Sequence, residues 1–164
     1  MGYRNKTYII FDGDKDMWAY SYMKGWNEKE HIDFNFHDAH ELNKLLSTST
    51  EETVKRKLRE RLVNTKQAIV LIGESTKNLY RFVRWELETC LSLGLPIVAV
   101  NLNNERQKDD NLCPPLINNK PVVHVAFRMK IIKHALDDFC ENFSQHKDKA
   151  NLYYPNSVYQ SLGL

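Results

Sequence analysis

The sequence has 164 residues, of which 42% are apolar and 27% charged, and its formal net charge is +2. A chain of about 150 residues buries about 70% of the surface that it exposes when unfolded, so we expect one domain with a substantial core. The basic residues are spread along the chain, which argues against a nucleic-acid-binding surface, and no apolar run reaches the roughly 20 residues that a membrane helix requires.

The N-terminus and the cysteines both favour a reducing, cytoplasmic location. Residues 1–6 lead directly into a strand-like run and lack the apolar stretch of a signal peptide. The three cysteines, Cys90, Cys113 and Cys140, are an odd number, and their spacings match no zinc or redox motif. We therefore expect free thiols, no bound metal and a cytoplasmic protein.

Strand and helix signals alternate through the N-terminal half of the chain. Residues 7–11 are β-branched or aromatic and end at Asp12-Gly13-Asp14, which is typical of a strand followed by a turn. Ser49 and Glu52 have the spacing of a capping box, which predicts the start of a helix. The predicted elements are a strand at 7–11, a helix near 15–25, a half-exposed edge strand at 31–36, a loop over 37–50 and a helix at 50–64.

The C-terminal half continues this alternation with more apolar strands. Residues 67–72 contain the run Ala-Ile-Val-Leu-Ile, which is the composition of a strand buried on both faces of a parallel sheet. The next helix ends before Gly94, a typical residue just past a helix C-terminus. The predicted elements are a strand at 67–72, a helix at 79–93, a strand at 95–100, a loop over 101–120, a short strand at 121–125 and a closing helix with Ile132, Ala135, Leu136, Phe139 and Phe143 on one face.

This order of elements predicts an α/β fold. Strands that alternate with helices pair in parallel through right-handed crossovers, which places helices on both faces of an open sheet. We expect a flavodoxin-like, five-stranded sheet formed by residues 1–146. Residues 147–164 contain three tyrosines and are assigned to a C-terminal extension.

Open parallel sheets bind ligands beyond the carboxyl ends of their strands, where loops converge and helix N-termini point. The sequence places short polar loops at four of these ends. After the first four strands come, in turn, Asp12, Gly13 and Asp14; His37, Asp38 and His40; Glu74, Ser75 and Thr76; and Asn101, Asn103 and Asn104. A binding site on this fold should draw on these groups.

One acidic residue stands out on the helix predicted after the third strand. At about 100° per residue, Glu86 lies in the middle of an apolar stripe. The stripe consists of Leu79, Phe82, Val83, Cys90 and Leu93, and the charged residues Arg81, Arg84 and Glu88 lie opposite. A carboxylate at a core-facing position is costly unless it is paired, hydrogen-bonded or open to a cleft. Two explanations stay open here: a structural ion pair or cap, and a carboxylate held in a cleft near the strand ends.

Four short motifs follow one another over about residues 5 to 102. They are Phe11-Asp12; Asp33-Phe34-x-Phe36-x-Asp38; Gly73-Glu74-Ser75-Thr76 with Phe82-Val83-Arg84-Trp85-Glu86-Leu87; and Gly94-Leu95-Pro96-Ile97-Val98-Ala99-Val100. Together they resemble the TIR-like family of bacterial signalling, which includes the TIR proteins of Thoeris antiphage defence. The resemblance implies a TIR-like sheet with strand order 2-1-3-4-5. One departure is Phe82, which stands where relatives often carry tryptophan.

The resemblance also implies an enzyme that cleaves NAD, with NAD as the substrate and no other cofactor. Glu86 matches the glutamate on which NAD cleavage by TIR enzymes depends, so it is the candidate catalytic residue. The family likeness further implies a cyclised ADP-ribose product, a separate effector protein that detects it, and activation by self-assembly. The candidate substrate-binding residues are Phe11, Asp12, Asp14, Asp38, Ser75, Phe82 and Trp85. The open alternatives are helix capping for the three aspartates, the end of a strand for Ser75, and core packing or a partner contact for Trp85. A non-catalytic TIR-like adaptor is the alternative for the whole chain.

Overall fold

Strands and helices alternate along the chain in the computed structural model, which describes residues 1–38, 44 and 46–164. The strands are β1 (Lys6–Ile10), β2 (Asn35–His37), β3 (Gln67–Ile72), β4 (Ile97–Asn101), β5 (Val123–Ala126) and β6 (Leu152–Tyr153). The described helices are α1 (Met17–Lys29), α2 (Glu51–Arg61), α3 (Phe82–Ser92), α4 (Met129–Ala135), which continues into a π-helical turn at Leu136–Cys140, and α5 (Asn156–Ser161). Among these residues, no helix has both the length and the apolar character needed to cross a bilayer.

All six strands run parallel, in the order β2-β1-β3-β4-β5-β6. The first five confirm the predicted α/β class and the order 2-1-3-4-5. The prediction of five strands was wrong, because Leu152 and Tyr153 pair with Val123 and His124 to add β6 at the edge. A two-residue strand is too short to show apolar alternation in a sequence. The domain boundary after residue 146 stays a prediction, but the segment beyond it contributes to the same sheet.

Helices cover both faces of the sheet, and the residues of β3 alternate between the two cores. Ala68, Val70 and Ile72 pack in the core beneath α2 and α3. Ile69 and Leu71 pack in the core beneath α1 and α4. This double burial explains why β3 is apolar at nearly every position, as strands of parallel sheets are.

The helix boundaries differ from the predicted ones by one to four residues. The N-cap of α2 is Thr50, whose Oγ1 accepts a hydrogen bond from the Thr53 N–H at 3.3 Å, so the predicted capping box at Ser49 was wrong by one residue. Residues 47–50 all carry hydroxyl groups, and spacing alone does not choose among them. Part of the predicted loop over 37–50, including His40, lies outside the described residues.

The closing helix and the C-terminal extension both pack on the sheet. Four of the five residues of the predicted apolar face, Ile132, Ala135, Leu136 and Phe139, are buried. The fifth, Phe143, is half-buried and lies beyond the helix, in a short 3-10 helix at Phe143–Gln145. Tyr159 of α5 is buried as well, and its hydroxyl oxygen accepts the backbone N–H of Ala126 at 3.1 Å. The three cysteines have free thiols, as predicted. The extension is thus held by a strand and by a buried ring.

His124 is an uncompensated polar group in this core. It lies fully buried on β5, and neither ring nitrogen has a hydrogen-bond partner among the described residues. Burial lowers the pKa of His124 from 6.5 to about 4. A histidine that is harder to protonate in the folded chain than in the unfolded chain contributes stability that is lost as the pH falls, because the unfolded state takes up the proton first.

We predict that His124→Leu makes the free energy of unfolding depend less strongly on pH between pH 7 and pH 4. Between pH 7 and pH 4, the free energy of unfolding of the wild type should fall more steeply, and the difference should reach on the order of 3 kcal/mol at pH 4. Urea unfolding at a series of pH values measures this. The exposed His31, replaced by Asn, is the matched control and should keep the wild-type slope. Parallel curves for wild type and His124→Leu would contradict the prediction.

Candidate functional site

A cleft of about 400 Å³ opens at the carboxyl end of β1. Its walls are the turn after β1, the start of α3 with the residues just before it, and residues that precede α2. It brings together six of the eight predicted site residues: Phe11, Asp12, Asp14, Asp38, Phe82 and Glu86. An apolar lining with a few converging polar groups is typical of small-molecule sites.

Glu86 is buried on the wall of this cleft, and its carboxylate accepts a short hydrogen bond. Only 4% of its surface is exposed. The Tyr8 hydroxyl donates to Glu86 Oε2 at 2.6 Å, and Tyr8 is fully buried on β1. Burial and the negative charge of Glu86 raise the pKa of Tyr8 well above its usual value, so Tyr8 keeps its proton and remains a donor. The bond fixes one carboxylate oxygen against the sheet.

The inward position of Glu86 follows from the packing of α3 on β1. Tyr8 and Ile10 of β1 belong to the core that α3 covers. The buried face of α3 consists of Val83, Glu86, Leu87, Thr89 and Cys90. Helical projection therefore placed Glu86 correctly. It was wrong for Leu93, which is 44% exposed, because α3 ends at Ser92 and the periodicity stops there.

The opposite side of α3 is tied to α2 by charged groups. Glu88 forms ion pairs with Lys55 of α2 and with Arg84 of α3, the second at 2.9 Å. Lys55 also pairs with Glu51 at 2.9 Å. The bond from Lys55 lowers the pKa of Glu88. Such pairs contribute little energy individually, and Glu88 lies outside the described lining of the cleft.

Two of the predicted aromatic residues form walls of the cleft. Phe11 lines it and packs on Tyr20, with ring centroids 4.9 Å apart. Phe82 also lines it. Trp85 is not part of the described lining; it packs edge-on against Phe82 at 5.7 Å. This agrees with its projection about 100° away from Glu86 on the helix. The substrate contacts assigned to these rings stay predictions.

The predicted polar residues divide into a structural pair and two groups on the cleft wall. Asp12 Oδ1 accepts the backbone N–H groups of Asp14 at 2.9 Å and Lys15 at 3.2 Å, and its Oδ2 accepts the Ser75 hydroxyl at 2.6 Å. These bonds support the structural interpretation of Asp12 and Ser75, and Ser75 faces a different cleft. Asp14 is exposed and Asp38 half-buried on the wall of the first cleft, and both stay candidate ligands.

Sequence reasoning missed three residues of this region. Tyr8 could not be recognised as a site residue from the sequence, because a tyrosine in a strand is usually a core residue. Arg81 was placed opposite Glu86, but α3 begins only at Phe82, and at the N-cap Arg81 has φ −112° and ψ −96°, so helical projection does not apply to it. Its guanidinium donates to the carbonyl groups of Ser47 and Ser49, lies over the Phe82 ring and lines the cleft. Lys44 is a second basic residue of the lining.

The open parallel sheet and the position of the cleft define a flavodoxin-like α/β protein with its candidate site beyond the carboxyl end of β1. Residues 8–107 match the family described as Thoeris protein ThsB, TIR-like domain. This match spans more than half of the chain, and the chain belongs to that family of TIR-like domains of antiphage defence. The matched region includes Tyr8, Glu86 and the whole described lining of the cleft.

We predict that Tyr8 and Glu86 are energetically coupled. A double-mutant cycle with Tyr8→Phe and Glu86→Gln, measured by urea unfolding, should give a coupling free energy of about 1–3 kcal/mol, because Tyr8→Phe removes the donor and Glu86→Gln removes the charge that strengthens the bond. The pair Tyr22→Phe and Glu86→Gln is the control, since Tyr22 is exposed on α1. Additive effects of Tyr8→Phe and Glu86→Gln would show that the bond does not matter for stability.

Proposed function

We propose that this chain cleaves the bond between nicotinamide and ribose in NAD, with Glu86 as the catalytic residue. The observation that supports this proposal is the Glu86 carboxylate itself: it is buried, bonded by Tyr8 at 2.6 Å, and on the wall of a cleft in a TIR-like domain. Burial of a carboxylate is costly. The proposed catalytic role explains why a carboxylate is kept at this buried position.

The chemistry needs a fixed negative charge more than it needs an acid or a metal. Nicotinamide leaves as a neutral molecule with the bonding electron pair, and the ribose becomes an oxocarbenium-like cation, as in glycoside hydrolysis. In the proposal, the Glu86 carboxylate stabilises this cation as it forms. Because Tyr8 already orients the carboxylate, little reorganisation is required during the reaction, which is the basis of electrostatic preorganisation.

The rest of the lining suits the other parts of NAD. Phe11 and Phe82 offer flat apolar surfaces for the nicotinamide ring, and Asp14 and Asp38 offer oxygens to ribose hydroxyls. Arg81 supplies a positive charge for a phosphate group. We assign these contacts as part of the proposal, with Glu86 as the group on which the reaction depends.

The wider role that we propose follows the family. The ribose cation would be captured by the adenine of the same molecule to give a cyclised ADP-ribose, and a separate effector protein would detect this product. We also propose that the protein acts in the cytoplasm and that self-assembly switches it on. These steps rest on membership of the TIR-like family.

We predict that Glu86→Gln abolishes nicotinamide release from NAD. The loss should be about 100-fold or more, because the change removes the charge that stabilises the ribose cation. Nicotinamide is measured by chromatography, both with purified protein and in bacteria that express the chain during phage infection. Glu88→Gln, two residues along the same helix and outside the described lining of the cleft, is the matched control and should retain activity.

Two results would contradict the proposal. One is equal nicotinamide release by the wild type and Glu86→Gln. The other is no release by the wild type in either setting, although the protein folds normally. The second result, together with a stable complex with a partner protein, would favour the non-catalytic adaptor.

A further inference from the structure

We propose that a second cleft, next to the first, binds the adenosine half of NAD; this inference rests on the proposed function. The second cleft has a volume of about 480 Å³ and lies at the carboxyl ends of β3 and β4. The N-terminal end of α1 forms its other wall, through Lys15, Asp16 and Trp18. It is therefore built from a different set of strand ends than the cleft that contains Glu86.

The two clefts share a wall. Asn78 lines both of them. The bond from the Ser75 hydroxyl to Asp12 Oδ2, at 2.6 Å, joins a residue of the second cleft to a residue of the first. A dinucleotide consists of two nucleosides linked by a pyrophosphate, so its recognition requires two adjacent sites. In the proposed reaction the first cleft holds the nicotinamide riboside half, and the adenosine half rests in the second cleft until its adenine turns toward the ribose cation and closes the ring.

Trp18 gives the second cleft a platform for a flat ring. The indole packs on Phe127 with centroids 5.7 Å apart and planes inclined by 29°, which holds its orientation. Even so, 57% of Trp18 is exposed, and it lines the cleft. A large aromatic ring that is supported on one side and open on the other is suited to stacking with a nucleobase.

Asp16 adds a largely buried carboxylate to the wall of the second cleft. It is only 7% exposed, and its Oδ2 is buried without a hydrogen-bond partner among the described residues. The absence of a side chain at Gly73 makes room for it, since a Cβ there would lie 2.4 Å from this oxygen. Glu74 is a second acidic residue on the wall. Carboxylates repel phosphate and accept from an amino or hydroxyl group, which favours the base and ribose of adenosine at this place.

The test is a calorimetric titration of the full chain with AMP, the half of NAD that carries adenine. We expect Trp18→Ala to weaken AMP binding about 10-fold, because base stacking is lost. Tyr22→Ala is the matched control: Tyr22 lies one turn further along α1, is 61% exposed and is outside the described lining of the second cleft. Its AMP affinity should stay within about twofold of the wild type, as expected for a surface change. Equal AMP binding by wild type and Trp18→Ala, or no AMP binding at millimolar concentration, would overturn the inference.

A competition titration shows whether AMP occupies the proposed site for the adenosine half of NAD. An excess of NAD should displace AMP, whereas nicotinamide mononucleotide, the other half of NAD, should leave AMP bound. If NAD and nicotinamide mononucleotide both displace AMP, AMP binds in the first cleft. If neither displaces it, the second cleft is not part of the NAD site. Each of these two results overturns the inference. Failure of the proposed function has a different signature, namely nicotinamide release that does not depend on Glu86 while these AMP results hold.

Discussion

The hydrogen bond between Tyr8 and Glu86 joins two elements that are 78 residues apart in the chain. It places a carboxylate inside one of the two apolar cores of the sheet, where an uncompensated charge would cost several kcal/mol. The bond is only possible if α3 lies over β1 with one particular rotation. The packing of α3 on β1 and the shape of the first cleft therefore depend on each other.

The topology of the sheet explains why the clefts open where they do. β1 lies between β2 and β3, so the chain leaves its carboxyl end toward one neighbour and later returns on the other side. Such a reversal separates the adjoining loops and leaves a crevice. The turns after β1 and β3 are then joined across this crevice by Asp12 and Ser75. This bond lies between the two clefts, since Asp12 lines the first cleft and Ser75 lines the second.

Sequence reasoning was successful where periodicity extends over several turns or strands. The apolar run of β3 fixed the class of sheet, and eleven residues of α3 were enough to show that Glu86 interrupts an apolar face. It failed where one boundary or one tertiary contact decides the outcome. Arg81 was misplaced because α3 starts three residues later than predicted, and Tyr8 was missed because its role depends on a partner far away in the chain. The strand β6 has too few residues to carry a pattern.

The hydrogen bonds of the buried acidic residues distinguish structural residues from candidate functional ones more clearly than their positions in the fold do. Asp12, Glu86 and Asp16 are all buried at the same end of the sheet. Asp12 accepts three hydrogen bonds that close the turn after β1 and tie it to Ser75, so both of its oxygens serve the fold. Glu86 is held by a protonated tyrosine on a cleft wall, which keeps its charge in place, and Asp16 has a buried oxygen that no described group satisfies. Burying a carboxylate is costly, and the position of Glu86 on a cleft wall is the physical reason why we propose this residue, and not Asp12, as the catalytic group.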